Sequence, residues 1–172
     1  MNVHPIDGRS RARAGVAWIL ATLCLAGPGT AQVSVCDLTD SAGVARLLGA
    51  NIARPRPDSV YGVRVCNWVG PANRGLSVNW ATAVPSDTQF VALRATMGQQ
   101  PGTKLVTQPG LGDDAFWALT PTWATLVVQA RARSAIVYLT YQWTRGDPAG
   151  ENHRPAMVDL AKRALPLLDE QQ

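Results

Sequence analysis

Two adjacent carboxylates and one histidine are the residues of this sequence whose types could support acid–base chemistry. Asp113 and Asp114 end the glycine-rich stretch 109–114, and His153 lies in the polar stretch 144–154. A hydrolase-type enzyme could use these carboxylates with the histidine assisting, but only if the two stretches met over one pocket. Adjacent residues of a tight turn usually point apart, and Asp there often bonds its own backbone. We therefore favour turn-stabilising carboxylates, a solvated histidine and no catalytic residue, and keep the enzyme as the alternative.

Tryptophan is the other residue type that could act at a surface. Five tryptophans lie beyond residue 31, most of them on predicted strands: Trp68, Trp80, Trp117, Trp123 and Trp143. Such side chains most often fill a core, but they can also line a groove for an apolar ligand, a sugar face or a partner protein. Trp123 lies in a turn and is expected to be the most exposed. The candidate ligand or partner surface comprises Trp68, Trp80, Trp123 and Trp143.

The N-terminus has the organisation of a secretory signal peptide over residues 1–31. Three arginines precede an uncharged run of twelve residues, Val16 to Gly27, and small residues precede a cleavage position before Gln32. Such a run is short for crossing a bilayer, although an uncleaved anchor remains the alternative. Cleavage leaves one domain over residues 32–172, exported to the periplasm or beyond the cell, with no stable membrane span.

The basic charge of the chain belongs largely to this N-terminal segment. Cleavage removes three arginines and Asp7, so the formal net charge of +4 falls to +2. The remaining basic residues are scattered, and we therefore predict no nucleic-acid partner. Arg131 and Arg133 alternate along a predicted strand, where such a stripe is most often a solvated sheet face. An anionic partner is the other interpretation, so both arginines join the candidate surface.

Two cysteines remain after cleavage, since Cys24 lies within the signal peptide. Export to an oxidising compartment predicts a single disulfide between Cys36 and Cys66. It would close a loop of about thirty residues and contribute roughly 3.5 kcal/mol in the chain-entropy model. Two free buried thiols are the alternative. Two cysteines and one histidine cannot fill a four-ligand site without carboxylates, so we predict no metal and no cofactor.

Three helices and five to six strands are predicted from hydrophobic periodicity and caps. The helices run from a Thr39 or Asp40 cap to Gly49, from a capping box at 86–89 to Gly98, and from Pro155 to Pro166. The strands are Val60–Val69, Leu76–Val84, Ala115–Leu119, Thr125–Arg133 and Ala135–Trp143, with Lys104–Val106 as the sixth. Residues 50–58, with two prolines, are predicted to be a surface connection.

This order predicts an α+β fold. We expect an antiparallel sheet with the helices packed on one face, in the order α-β-β-α-β-β-β-α, and one disulfide. The last two strands should bury one face and leave the other wet, because apolar and polar residues alternate along them.

Four short motifs occur in this arrangement: Cys36–Thr39, Leu47–Gly49, Cys66–Trp68 and Gly110–Ala115. Together they resemble a family of uncharacterised exported actinobacterial proteins, many of them lipoproteins. Its members have a Cys-x-Leu-Leu-Thr helix ending in Leu-Gly, a Cys-x-Trp strand and a Gly-Leu-Gly-Asp-Glu-Ala-like turn. The resemblance implies an exported α+β domain and no particular reaction. This chain has no lipidation cysteine, so the resemblance does not extend to membrane anchoring.

These observations favour a secreted cell-envelope protein that binds rather than catalyses. Its partner would be a small apolar ligand or an unknown envelope protein. The interpretation depends on the lack of a nucleophile–base or metal constellation, set against an export signal, a predicted disulfide and a tryptophan-rich sheet. An inhibitor or assembly factor that presents Trp123 and the arginine face is a third hypothesis.

Overall fold

A computed structural model describes residues 34–49, 52, 54–60, 63–81, 87–145 and 153–168. The predicted signal peptide lies outside these residues. The strands are β1 (Arg56–Val60), β2 (Val63–Val69), β3 (Gly75–Ala81), β4 (Lys104–Thr107), β5 (Asp114–Leu119), β6 (Trp123–Ala130) and β7 (Ala135–Gln142). The helices are α1 (Ser41–Leu48), α2 (Asp87–Gly98) and α3 (Arg154–Leu167). The predicted mixture of helices with an antiparallel sheet is confirmed.

The sheet has seven strands in the order β1-β2-β3-β7-β6-β5-β4, and every pairing is antiparallel. The predicted count of five to six strands and the predicted element order are therefore wrong. The additional strand is β1, which lies partly in the stretch predicted as a surface connection. Pro57 is compatible with it because β1 is an edge strand, whose outer side needs no ladder donor. The predicted strand Val60–Val69 is divided between β1 and β2.

Helices lie on both faces of the sheet, so the prediction that they share one face is wrong. We call the face under α1 and α3 the first face; its buried residues include Trp68, Leu76 and Leu126. The opposite, second face is covered in part by α2, whose Phe90 ring meets Phe116 edge-on with centroids 5.3 Å apart. Phe116 points away from the first face because its neighbours on β5 point into it.

Both faces of β6 are buried, which corrects the prediction of one wet face. Gln129 is 0% exposed and Thr125 is 4% exposed, although both alternate with the apolar residues of the first face. The strand also ends earlier than predicted, at Ala130, and residues Arg131–Arg133 form a 3-10 turn. The second face of β6 is buried because α2 covers this part of the sheet. The position of α2 could not be predicted from the pattern of β6 alone.

The predicted disulfide between Cys36 and Cys66 is confirmed. Cys36 belongs to a 3-10 turn over Val35–Leu38, and Cys66 is buried on the first face of β2. Their Cα atoms are 5.2 Å apart, and the bond spans 30 positions of the chain. It fastens the segment before α1 to the sheet that α1 covers.

Helix α1 has the predicted boundaries. Asp40 is the N-cap and accepts a hydrogen bond from the backbone N–H of Gly43, while Gly49 follows the helix with φ of 105°. The same Asp40 carboxylate receives the guanidinium of Arg163 at 3.0 Å, from Nε to Oδ2. One cap residue therefore both begins α1 and connects it to α3.

Gly70 directly follows β2 and lies against Leu48, the last residue of α1. Its substitution tests how closely the loop after β2 packs on that helix. A Cβ at Gly70 would lie 2.9 Å from Leu48 Cβ and 3.0 Å from the Leu48 carbonyl oxygen. We expect Gly70→Ala to lower the free energy of unfolding by about 1–3 kcal/mol, measured by urea denaturation. Gly75→Ala is the matched control, because its Cβ would meet only Trp68 O, at 3.7 Å. A Gly70 variant as stable as the Gly75 variant would show that α1 does not approach the loop so closely.

Candidate functional site

Asp113 and Asp114 lie where β5 begins, beside the turn that follows β6. One Asp113 carboxylate oxygen accepts the Arg131 backbone N–H at 2.6 Å. The Asp113 N–H donates to the Gln129 carbonyl oxygen at 2.9 Å, and Asp114 pairs with Gln129 in the strand register. Asp113 therefore stabilises the junction of two turns, using its carboxylate on the backbone.

His153 is buried rather than solvated, in contrast to the sequence-based expectation. It precedes α3 and is 8% exposed. Its ring centroid lies 3.9 Å from that of Tyr141 and 6.1 Å from that of Trp143. The imidazole is held there because the start of α3 packs on the first face of β7.

The structure does not bring the two carboxylates and the histidine together. Asp114 is level with Ile136 through the register of β5, β6 and β7. His153 contacts Tyr141, five residues further along β7, which is about 17 Å at the rise of an antiparallel strand. Asp114 also alternates with Ala115, a first-face residue, and therefore belongs to the second face. The pocket required by the enzyme hypothesis is not formed by these groups.

The tryptophans do not form one surface. The side chains of Trp68, Trp80 and Trp117 are buried in the core of the first face. Trp143 is half-buried and stacks on Tyr141, with centroids 5.5 Å apart. Trp123 is half-buried on the second face and packs against the cluster under α2.

Arg131 belongs to an ion pair rather than to an arginine stripe along a strand. Its Nε donates to Asp87 Oδ1 at 2.7 Å, and Gln129 Nε2 donates to the same oxygen at 3.0 Å. The hydrogen bond from Arg131, followed by that from Gln129, lowers the pKa of Asp87. The side chain of Arg133 lies outside the described residues. The group connects the first turn of α2 to the turn after β6.

This ion pair predicts a pH-dependent difference between the parent and Asp87→Asn. Because the pKa of Asp87 is lower in the folded state, its stabilisation is present above the usual Asp range near pH 4 and is lost as pH falls through the lower value. We expect the urea midpoint of the parent to exceed that of the variant at pH 6, and the two midpoints to converge as the pH falls below the usual Asp range. Asp159→Asn, on the exposed side of α3, controls for loss of charge. A constant difference across this range would contradict the assigned pair.

Among the described residues, no helix covers the second face over β1, β2, β3 and the later part of β7, because α2 packs on the side of β4 and β5. We call this area the open face. Ile136, at the start of β7, is buried in the cluster under α2. The residues of the open face alternate with first-face neighbours, and Tyr138 marks its border with the cluster under α2: Arg56, Asp58, Val63, Val65, Asn67, Val69, Gly75, Ser77, Asn79, Tyr138, Thr140 and Gln142. This face was not predicted from the sequence. The signal was the alternation of Ser77 and Asn79 with the apolar residues of β3.

A cleft of about 360 Å³ lies on the open face. It is lined by Asn67, Trp68, Val69, Gly75, Leu76, Ser77, Thr140 and Gln142. Asn67, Ser77 and Thr140 form one row across three strands. Val69, Gly75 and Gln142 form the next row, and the missing side chain at Gly75 leaves a gap between its two neighbours.

The groups of the cleft are polar and uncharged. Asn67, Ser77, Thr140 and Gln142 provide two amides and two hydroxyls. Thr140 Oγ1 is 3.0 Å from Thr125 Oγ1, and Asn79 Nδ2 donates to Ser77 Oγ at 3.2 Å, so neighbouring side chains orient both hydroxyls. The nearest charge in register is Arg56, which pairs with Asn67 at the sheet edge.

The fold and the cleft define an α+β domain with a half-covered antiparallel sheet. No protein-family model matches the chain, and no curated protein or solved structure does so either. Within the described residues, no cluster of three or more His, Cys, Asp or Glu side chains could hold a metal ion. The helices α1, α2 and α3 are too short or too polar to span a bilayer.

Proposed function

We propose that this protein is an exported, non-catalytic binding domain of the cell envelope that contacts its partner through the open face. The observation that supports this most is that half of one sheet face is uncovered in the described structure and contains a cleft of about 360 Å³. When helices cover only one half of a sheet face, the other half presents a wide surface of side chains that the paired strands hold rigidly.

The placement of the acid–base residues favours binding over catalysis. The enzyme hypothesis needs Asp113 or Asp114 within reach of His153 at one pocket. Asp113 is engaged with the backbone of Arg131, and His153 is buried against Tyr141 on the other face. A general base held away from its partner cannot activate a nucleophile.

Export is supported by the disulfide together with the character of residues 1–31. Disulfides form and persist in oxidising compartments, and the Cys36–Cys66 bond lies in the core of the domain. The resemblance to exported actinobacterial proteins is consistent with this location. Mass spectrometry of the protein recovered from an exporting host should give a mature N-terminus at Gln32, whereas an intact Met1 would exclude cleavage.

The polar lining of the cleft favours a hydrogen-bonding partner over the small apolar ligand expected from the tryptophans. An apolar ligand would leave the amides of Asn67 and Gln142 without partners, and burying such groups unpaired costs about 1–3 kcal/mol each. The side chains of Trp68 and Trp80, which were expected to contact an apolar ligand, are buried.

Backbone NMR can test the proposed surface before any partner is identified. The ¹⁵N-labelled mature protein would be titrated with a cell-envelope extract separated into small molecules, polysaccharide and protein. We expect at least one fraction to shift the amide signals of Asn67, Ser77 and Thr140, and to leave those of Asp159 and Lys162 on α3 unchanged. Shifts confined to α3, or none with any fraction, would contradict the proposal.

A further inference from the structure

We infer that the cleft on the open face binds an uncharged saccharide. The inference rests on the proposed function and specifies the ligand class of the same surface. Two observations support it: the hydrogen-bonding capacity of the side chains that line the cleft, and the apolar side chains of Val69 and Trp123 at the two ends of one row across the sheet.

The hydrogen-bonding groups of the cleft match hydroxyl groups. Each amide and each hydroxyl can both donate and accept, as can every hydroxyl of a sugar. The lining residues Asn67, Ser77, Thr140 and Gln142 carry no charge, and the one charged side chain in register with them is the exposed Arg56, beside Asn67 at the sheet edge. A cationic ligand would lose water without gaining a counterion, and an anionic ligand would meet only this solvated arginine at the rim. A neutral polyhydroxylated ligand loses no charge solvation and can satisfy all four side chains.

The apolar groups lie in one row across four strands. Val69, Gly75, Gln142 and Trp123 succeed one another through the strand register, so Val69 and Trp123 are about 14 Å apart at the usual strand spacing. Val69 lines the cleft, whereas the half-buried Trp123 lies beyond its lining, at the border with the cluster under α2. Val69 is 59% exposed and is one of two large apolar side chains that stand out from the described surface; Val91 is the other. A sugar ring has C–H faces between its hydroxyls, which suit apolar contacts flanking a polar floor.

The position of the cleft disfavours a peptide in extended conformation. Peptides that add a strand do so at a sheet edge, where backbone groups are unpaired. The cleft lies over β2, β3 and β7, and each of these strands has neighbours on both sides. Recognition there depends on side chains, and a volume of about 360 Å³ falls within the usual range of small-ligand pockets.

Gly75→Val tests the cleft without disturbing the fold. A Cβ at Gly75 meets only Trp68 O, at 3.7 Å, and a β-branched residue suits a strand, so we expect unchanged or higher stability. Its methyl groups would fill the floor of the cleft. We expect saccharide binding to weaken at least tenfold while the urea midpoint is maintained.

Val69→Thr and Val91→Thr form a second, matched pair. The same substitution is made at two exposed valines, one in the cleft and one on α2, where Val91 is 64% exposed. We expect binding to weaken about three- to tenfold at position 69, because a methyl that contacts the sugar is replaced by a hydroxyl. Binding by the Val91 variant should equal that of the parent.

The probes are neutral mono- to tetrasaccharides of hexoses, pentoses and N-acetylhexosamines. Uronic-acid oligosaccharides are the charged comparison, and binding is measured by calorimetry.

Binding of a neutral saccharide that Gly75→Val weakens would support the inference. If no neutral saccharide binds while the protein fraction still shifts the open-face amides, the saccharide inference fails and the proposed function stands. Equal binding by the parent and Gly75→Val, or preference for the uronic acids, overturns the assignment of this cleft. If no fraction shifts the open face, both proposals fail.

Discussion

Replacing Cys36 and Cys66 together by alanine is expected to lower the free energy of unfolding by roughly 3.5 kcal/mol. The disulfide closes a loop with a sequence separation of 30, and its loss releases the 3-10 turn over Val35–Leu38 from β2. Val35 and Leu38 are both buried in the first-face core together with the apolar residues of α1. Movement of the turn would therefore also weaken the packing of α1.

Urea denaturation with and without reductant measures this effect and provides its own control. The parent should fall to the stability of the double variant when reductant is added, and the double variant should not respond to reductant. A loss below about 1 kcal/mol would mean that the bond contributes little to the folded state. A response of the double variant would show that reductant acts elsewhere.

Gly112→Ala is expected to cost about 2–4 kcal/mol, because two effects combine there. Gly112 has φ of 61°, where a Cβ costs roughly 1–2 kcal/mol. That Cβ would also lie 2.5 Å from the carbonyl oxygen of Gln129, which accepts the N–H of Asp113. Since the obstacle is backbone, the turn before β5 must shift and the Asp113 contacts must weaken.

Gly110→Ala is the matched control for this prediction. Gly110 has a similar φ of 71°, but a Cβ there would meet nothing within 4 Å. It should therefore show the conformational cost alone, about 1–2 kcal/mol, by the same urea measurement. Equal losses in the two variants would mean that the close approach to Gln129 does not contribute.

The helices were largely predictable from local signals. The cap at Asp40, the stripe within α1 and the glycine after it act over one or two turns, and the structure places them as expected. The pairing of Cys36 with Cys66 was predictable from their number once export was assumed. Both kinds of inference need no knowledge of distant contacts.

The side of the sheet that α2 covers could not be derived in this way. A helical stripe indicates that a helix packs on something, but not on which face of a sheet. The residues that select the second face, Phe116, Val127 and Ile136, come from three strands whose register is a tertiary property. For the same reason the burial of Gln129 and the extent of the open face did not follow from alternation along β6.

The candidate site was predicted least well, because its chemistry is ordinary. The residues that stand out in the sequence are uncommon or reactive ones: Asp113, Asp114, His153 and the tryptophans. The cleft instead depends on Ser77, Thr140 and a glycine, whose role arises only when three strands align them. A hydroxyl and an amide that become neighbours only through the pairing of two strands produce no recognisable motif in the sequence.

Solvent accessibility of the open face in the intact protein tests the central claim most directly. A neutral paramagnetic gadolinium chelate would be added to methyl-labelled protein, and the broadening of individual valine and threonine methyl signals would be measured. We predict strong broadening for Val69 and Thr140, and little for Val78, which is buried on the first face. If Val69 and Thr140 were protected as well as Val78, the face would be covered in the intact protein, and it could not be the binding surface.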